Sequence, residues 1–294
     1  MKNVRAVAKS IQAGQERKTS SCHPVLWILG ICLLALPASA QEQNPSYLAL
    51  GDSLAFGFSP LVVGGAGNFT GYPEEVAGTK QVQHVKNLMN IACPGETSGS
   101  FLSNALPDNG CRDYKAYYGL HTVYAGTQLS FAASALRADK QIDLVTINLG
   151  GNDLRLLQSS CNYQAPCIIA GIPALLTAYG QNLAAILQSL RLDGGYTGNL
   201  VIVTYYSPDY QDPLQTGAIY ALNTVATQVA AAFSAQIADG FTAFAQAAAG
   251  SNGNACTAGL LIPLPDGTCN IHPSPAGRAL LAQTVLNLIG KNKR

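Results

Sequence analysis

The run Ile142-Asp143-Leu144-Val145-Thr146-Ile147-Asn148-Leu149-Gly150-Gly151-Asn152-Asp153 decides the fold. Its apolar and β-branched residues are continuous rather than spaced for a helix, and two glycines close it. That predicts a buried strand, Ile142 to Asn148, ending in a turn. Just upstream, Gly126 to Ala138 places Leu129, Ala133 and Leu136 on one helical face. Downstream, Leu176, Tyr179, Leu183, Ile186 and Leu190 recur at spacings of three and four, again a helix. The alternation continues outward. Tyr47 to Leu50, part of His84 to Ala92, and Leu200 to Thr204 suit strands. Gly217 to Ala238 suits an Ala-rich helix, and Phe241 to Phe244 a last strand. Ser274-Pro275 supplies a cap and a first-turn proline for a helix to Leu288-Ile289, stopped by Gly290. Strands alternating with helices predict an α/β fold with a parallel sheet covered on both faces. In such folds ligands bind outside the carboxyl ends of the strands, so chemistry is sought there.

The chain has 294 residues, 48% hydrophobic and 11% charged. That balance excludes a disordered chain, which needs many charges and few apolar residues. A net charge of +1 excludes the basic footprint of a nucleic-acid binder. Residues 1–40 have the pattern of a signal peptide. Lys2, Arg5, Lys9, Arg17 and Lys18 are basic, Val25 to Leu36 is apolar, and Ala38-Ser39-Ala40 is a small-x-small cleavage site. The apolar run is short for a membrane span, and no other stretch of membrane-spanning length is expected. Cleavage after Ala40 predicts a secreted single domain over 41–294. It keeps 12 of the 17 basic and 15 of the 16 acidic residues, a net charge of −3. A monomer is expected.

Cys93, Cys111, Cys161, Cys167, Cys256 and Cys269 remain after the leader. An even number in an exported chain points to disulfides. Neighbours in sequence pair as 93–111, 161–167 and 256–269, each clamping a loop. Zinc is disfavoured, because there is no C-x-x-C and no His at ligand spacing from a Cys pair. No cofactor or metal is expected.

The predicted strand ends carry suggestive residues. Gly51-Asp52-Ser53-Leu54 follows the first strand, and a Ser on such a turn presents its hydroxyl to a cleft. Gly95 follows the second strand, where a glycine lets a backbone N–H approach a ligand. Asn152 follows the third and aims a side-chain amide at developing negative charge. His272 stands before the final helix. A hydrolytic Ser needs a base with a pKa near working pH, and His is the usual supplier. His84 and His121 are not placed for that. Each signal alone is an ordinary turn or a structural residue; their order and placement together are specific.

In that order and placement the chain resembles the GDSL, or SGNH, hydrolases over essentially all of residues 45–290. The matching residues are Gly51-Asp52-Ser53-Leu54, Gly95, Gly150-x-Asn152-Asp153 and His272-Pro273. The resemblance implies a flavodoxin-like three-layer α/β/α fold with a five-stranded parallel sheet. It implies Ser53 as nucleophile and His272 as general base. The oxyanion hole it implies uses the N–H groups of Ser53 and Gly95 with the Asn152 side chain. The paired cysteines further resemble secreted actinobacterial lipases of the family. The departure is at the acid. The family usually has Asp three residues before the His, where this chain has Cys269, with Asn270 next. Asp266, another carboxylate or a backbone carbonyl are the possible substitutes. The backbone carbonyl, giving a Ser–His dyad, is the expectation.

The reaction expected is carboxylic ester hydrolysis through an acyl-enzyme. The rate should rise with pH around an unperturbed histidine value of ~6.5. Gly51-Asp52-Ser53-Leu54-Ala55 also resembles an α/β-hydrolase nucleophile elbow, but that fold places its Ser after several strands rather than the first. A secreted binding module with a decayed site is the rival of another class. Residues 55–72 are Gly-rich and apolar, which fits an acyl lipid better than a sugar, with a carbohydrate acetylesterase as the alternative.

Overall fold

The computed structural model describes residues 46–80, 82 and 84–289, so the leader, the cleavage site and Gly290 lie outside the described residues. In chain order the elements are β1 (Tyr47–Gly51), α1 (Ser53–Phe56), α2 (Tyr72–Gly78), β2 (Leu88–Asn90), α3 (Ser98–Leu102), α4 (Cys111–Tyr117), α5 (Gln128–Ala138), β3 (Leu144–Asn148), α6 (Gly151–Ser160) and α7 (Ala165–Leu192). There follow β4 (Asn199–Val203), α8 (Pro213–Ala232), β5 (Gln236–Ala238), α9 (Gly240–Ala248), β6 (Leu261–Pro263), β7 (Cys269–Pro273) and α10 (Pro275–Ile289).

Strands β1 to β5 form one sheet in the order β2-β1-β3-β4-β5, and every pairing is parallel. This is the flavodoxin-like doubly wound order, and it excludes an elbow following several strands. Every residue of β1 and of β3 is buried, as a sheet covered on both faces demands. The helices fall into two packing groups. α2, α9 and α10 pack together, and α3, α5, α6 and α8 pack on α7. β5 touches both α8 and α10, so the two groups cover opposite faces. The described residues all fall within one compact unit.

Four elements differ from the sequence reading. Phe241 to Phe244 is not a strand: Asp239 caps α9 there, its carboxylate accepting from Thr242 N at 2.9 Å. The last sheet strand is instead Gln236–Ala238, inside the range where the sequence predicts the preceding helix. That helix starts earlier, at Asp212-Pro213, where the Asp212 side chain accepts from Gln215 N and the proline takes the first turn. The fourth is α7, of 28 residues, long and apolar enough to cross a membrane by length and composition, where none was expected. Its Tyr179, Leu183, Ile186, Leu187 and Leu190 are buried, so this end of it is a core helix.

The three predicted disulfides are present, with S–S distances of 2.04 Å for Cys93–Cys111, 2.07 Å for Cys161–Cys167 and 2.02 Å for Cys256–Cys269. Cys93, Glu96 and Cys111 are the one grouping of potential metal ligands among the described residues. Their two sulfurs are bonded to each other, and a disulfide offers no thiolate.

Candidate active site

β1 and β3 pair with Gly51 opposite Asn148, so the turns that leave them lie side by side at the carboxyl edge. This is the switch point of the sheet, where β1 and β3 send their connections apart. Gly51 has φ +130°, and a Cβ there would lie 2.2 Å from the Asn148 carbonyl oxygen. Only glycine lets the chain turn that close to its neighbour. Asp52 follows, 1% exposed, and caps α1 by accepting from Leu54 N at 3.0 Å. Tyr205 donates its hydroxyl to the other carboxylate oxygen. Burial pushes the Asp52 carboxyl up to about 7, against the pull of the Tyr205 and Leu54 bonds. The capped turn holds Ser53 at the mouth of a cavity of about 380 Å³.

His272 sits on β7, in the two-stranded β6–β7 ribbon that Cys256–Cys269 ties down. Its Nε2 lies 2.8 Å from Ser53 Oγ. Its Nδ1 lies 2.5 Å from Asn270 Oδ1, and the same oxygen accepts from the His272 backbone N–H at 3.1 Å. A backbone N–H can only donate, so this bond fixes which end of the Asn270 amide faces the ring. Oδ1 is an acceptor, so Nδ1 carries the proton and the Nε2 lone pair faces the serine hydroxyl. Phe58 covers the imidazole at a ring separation of 4.9 Å. Burial lowers the His272 pKa to about 4, and the nearby positive charge of Arg155 adds to the shift.

The partner of His272 is therefore neither a backbone carbonyl nor Asp266. Asp266 is exposed and accepts from Thr268 N and Oγ1, which lowers its pKa. The Ile271 carbonyl is taken by the Tyr206 hydroxyl at 2.7 Å. The expected titration near ~6.5 shifts downward for the same reason: burial favours the neutral ring, and an amide does nothing to favour the charged one.

Gly95 lies in a loop whose ends Cys93 and Cys111 join. Its φ is +87°, and a Cβ would lie 2.3 Å from the Asn109 carbonyl oxygen. Asn109 N donates back to Gly95 O at 2.8 Å. Both Ser53 and Gly95 line the cavity, and neither backbone N–H has an acceptor among the described residues. Asn152, buried at the start of α6, differs. Its Nδ2 donates to Glu96 O at 3.0 Å and to Asp52 Oδ2 at 3.2 Å, and its Oδ1 accepts from Asn109 Nδ2 at 2.8 Å. Asp153 next to it anchors α3 by accepting from Ser98 N at 2.9 Å. Burial pushes Glu96 up to about 7, so it and Asp52 hold protons well above ordinary carboxyls.

The structure thus brings Ser53, Gly95, Asn152 and His272 to one cavity. His121 is set apart, with its Nε2 3.0 Å from the Phe56 carbonyl and its ring against Phe56. Of residues 55–72 only Phe58 lines the cavity, while Leu61 and Val63 are exposed. The apolar wall comes instead from Leu154, Pro208, Ile219 and Leu222. Sequence reasoning missed Asn270 and Asn109. Asn-x-His is itself an Asx-turn pattern, so Asn270 was findable. Asn109 reaches Asn152 only through folding and left no local signal.

A profile of the GDSL-like lipase/acylhydrolase family matches residues 49–280. The chain belongs to that family and is a carboxylic ester hydrolase. No curated protein matches it. Three solved structures share the fold. An extracellular lipase from Streptomyces rimosus is 19% identical, with 83% of this chain and 99% of that one covered and a TM-score of 0.54. A phospholipase A1 from Streptomyces albidoflavus NA297 gives 19% identity, 83% and 99% coverage and a TM-score of 0.53. A catalytic mutant of an acetylxylan esterase from Geobacillus stearothermophilus gives 20%, 83%, 93% and 0.52.

Proposed function

We propose that the protein is an exported lipase or esterase that cleaves acyl esters through a covalent acyl-enzyme on Ser53. One observation carries this reading: Asn270, His272 and Ser53 form a continuous hydrogen-bonded line into a cavity that Ser53 and Gly95 line with N–H groups lacking an acceptor among the described residues. His272 Nε2 takes the Ser53 proton as Oγ attacks the ester carbonyl carbon. The Ser53 and Gly95 N–H groups receive the oxyanion. Asn152 joins them by turning the amide hydrogen now on Asp52 Oδ2, its longer bond at 3.2 Å, toward the negative charge. Asp52 keeps the Tyr205 and Leu54 bonds meanwhile. Asn109, bonded to Asn152 Oδ1, keeps the donor end of that amide facing the site. The intermediate collapses, and His272 passes its proton to the leaving alcohol. Water then attacks the acyl-serine by the same route, releasing the acid.

Asn270 orients the ring as a carboxylate would, but brings no full negative charge to the imidazolium. Three disulfides, the basic-apolar-small pattern of residues 1–40 and similarity to an extracellular lipase support export with cleavage after Ala40. The apolar wall supports an acyl chain as the group bound there.

A fluorophosphonate probe tests the nucleophile. Labelling of the wild type but not of Ser53→Ala is expected; no labelling of either would leave a binding module. A chain-length series of p-nitrophenyl esters beside an acetylated polysaccharide tests the substrate. Best turnover on longer acyl chains is expected, and preference for the polysaccharide would replace the lipase reading with a carbohydrate acetylesterase.

A further inference from the structure

We infer that Tyr205 is a positioning residue for the oxyanion donor: its hydroxyl occupies Asp52 Oδ2 and so lets the Asn152 amide hydrogen turn to the substrate. The inference rests on the nucleophile reading above and deepens it, by assigning the residue that governs one donor of that site.

Both hydrogens of Asn152 Nδ2 are already engaged, one on Glu96 O at 3.0 Å and one on Asp52 Oδ2 at 3.2 Å. A carboxylate is a strong acceptor for an amide hydrogen. With Asn152 as its only donor, Asp52 Oδ2 would hold that hydrogen against a developing oxyanion. The Tyr205 hydroxyl donates to the same oxygen, while Leu54 N donates to Oδ1 at 3.0 Å. A phenol is a more acidic donor than an amide, and two donors on one oxygen divide its charge between them. The hydroxyl therefore loosens the hold of Asp52 on Asn152, and it keeps the carboxylate satisfied when the amide leaves.

The fold seats Tyr205 for this. It stands just past β4, at the carboxyl edge of the sheet, and lines the cavity. Asn223 on α8 fixes its backbone from both sides. Asn223 Oδ1 accepts from Tyr205 N at 3.0 Å, and Asn223 Nδ2 donates to Tyr205 O at 2.7 Å. The Tyr205 ring lies against Gly151, where a Cβ would stand 2.5 Å from Tyr205 Cε1. Gly151 is not among the left-handed glycines, so its lack of a side chain answers to the ring rather than to a turn. Gly151 directly precedes Asn152 on the first turn of α6. Tyr205 thus packs on the helix end that carries the donor, and its hydroxyl reaches the carboxylate oxygen that competes with the substrate for it.

A double-mutant cycle on p-nitrophenyl hexanoate tests the role, at about pH 9, above the Asp52 value of about 7, so that this carboxyl is ionised. Wild type, Tyr205→Phe, Asn152→Ala, the double variant and Ser53→Ala are compared. Melting is followed for each, and kcat is taken where each is folded. Tyr205→Phe keeps the ring on Gly151 and removes only the hydroxyl. It is expected to lower kcat by roughly tenfold, the scale of one hydrogen bond to a charged group, with KM within about twofold. In the Asn152→Ala background the same change should alter kcat by less than about twofold, because the donor it governs is gone. An equal loss in both backgrounds means that Tyr205 acts on the fold or by itself, and overturns the proposal. An unchanged kcat in Tyr205→Phe, a loss confined to KM, or a near-normal kcat in Asn152→Ala also overturns it. Tyr205→3-fluorotyrosine, a stronger donor of nearly the same shape, should hold kcat at or above the wild-type value. A fall there as large as the roughly tenfold expected for Tyr205→Phe overturns the proposal even if the phenylalanine variant does not fold. All these outcomes leave the nucleophile reading standing; full activity in Ser53→Ala overturns that reading and the positioning role together.

Discussion

The two halves of the site are built in different ways. Ser53, Gly95 and Asn152 stand on the edge of the parallel sheet. Their supports, such as Gln128 to the Gly51 backbone and Asn152 to Glu96, cross long stretches of chain and are buried. His272 stands on a small ribbon whose tip, around Asp266 and Thr268, is exposed. One disulfide, the Tyr206–Ile271 bond and the cover of Phe58 hold it. The sheet half is positioned by strand register, which many residues share. The ribbon half is positioned by a covalent tie and one local Asn turn. Damage to the first should appear in transition-state charge, and damage to the second in geometry and pH response.

The largest effect expected is in the sheet half. Asn152→Ala should slow turnover by roughly a hundredfold or more, the usual cost of one oxyanion donor. Because Asn152 also bonds the Glu96 carbonyl and the Asn109 side chain, melting is followed in parallel, and kcat is taken where the variant is fully folded. A near-normal kcat would mean that the two backbone N–H groups suffice.

Asn270→Asp places a carboxylate on Nδ1 and favours the imidazolium. The acid limb of kcat/KM, expected near about 4 in the wild type, should then move upward. A limb already near ~6.5 in the wild type would show that burial does not govern this histidine.

Removing Cys256–Cys269 with paired serines should cost about 3 kcal/mol of stability on the chain-entropy account of a loop this short. Activity should fall before the global unfolding midpoint is reached, because the ribbon loosens first. Simultaneous loss of activity and fold would mean that ribbon and sheet melt as one.

Glu96→Gln probes the sheet half by pH. The Glu96 carboxyl is raised to about 7 from 4.5, so the folded state keeps a proton that the unfolded state releases. Its contribution to stability is complete below about 4.5 and is lost as pH rises through about 7. The variant should show a flatter fall of Tm across that window; identical slopes would reject the buried-acid account. The smallest effect belongs to Asp266→Ala, where rates should stay within about twofold, since an exposed residue bonded only to its own turn contributes little. A large loss would return the acid role to Asp266.

The difference between the halves also explains what could be read in advance. β1, β3 and β4 announce themselves because a strand buried on both faces must be apolar throughout. The three disulfides follow from neighbouring cysteines. The turn motifs around Ser53, Gly95 and Asn152 were legible because glycine and capping residues are demanded locally, at φ +130° for Gly51 and +87° for Gly95. β5 was not legible. Gln236-Ile237-Ala238 is too short to carry a period, and the alanine-rich helix before it merges with it in sequence. Phe241 and Phe244 look like a strand until the Asp239 cap is weighed.

By itself the sequence determined the sheet class, the order of the site residues and the pairing of the cysteines. These depend on patterns within a few residues or on the identity of single side chains. Only the tertiary structure decided the partner of His272 and the three competing bonds on Asn152. Each of those is a choice among donors and acceptors that the chain brings together from distant positions, and which one wins depends on burial and distance that no local pattern encodes.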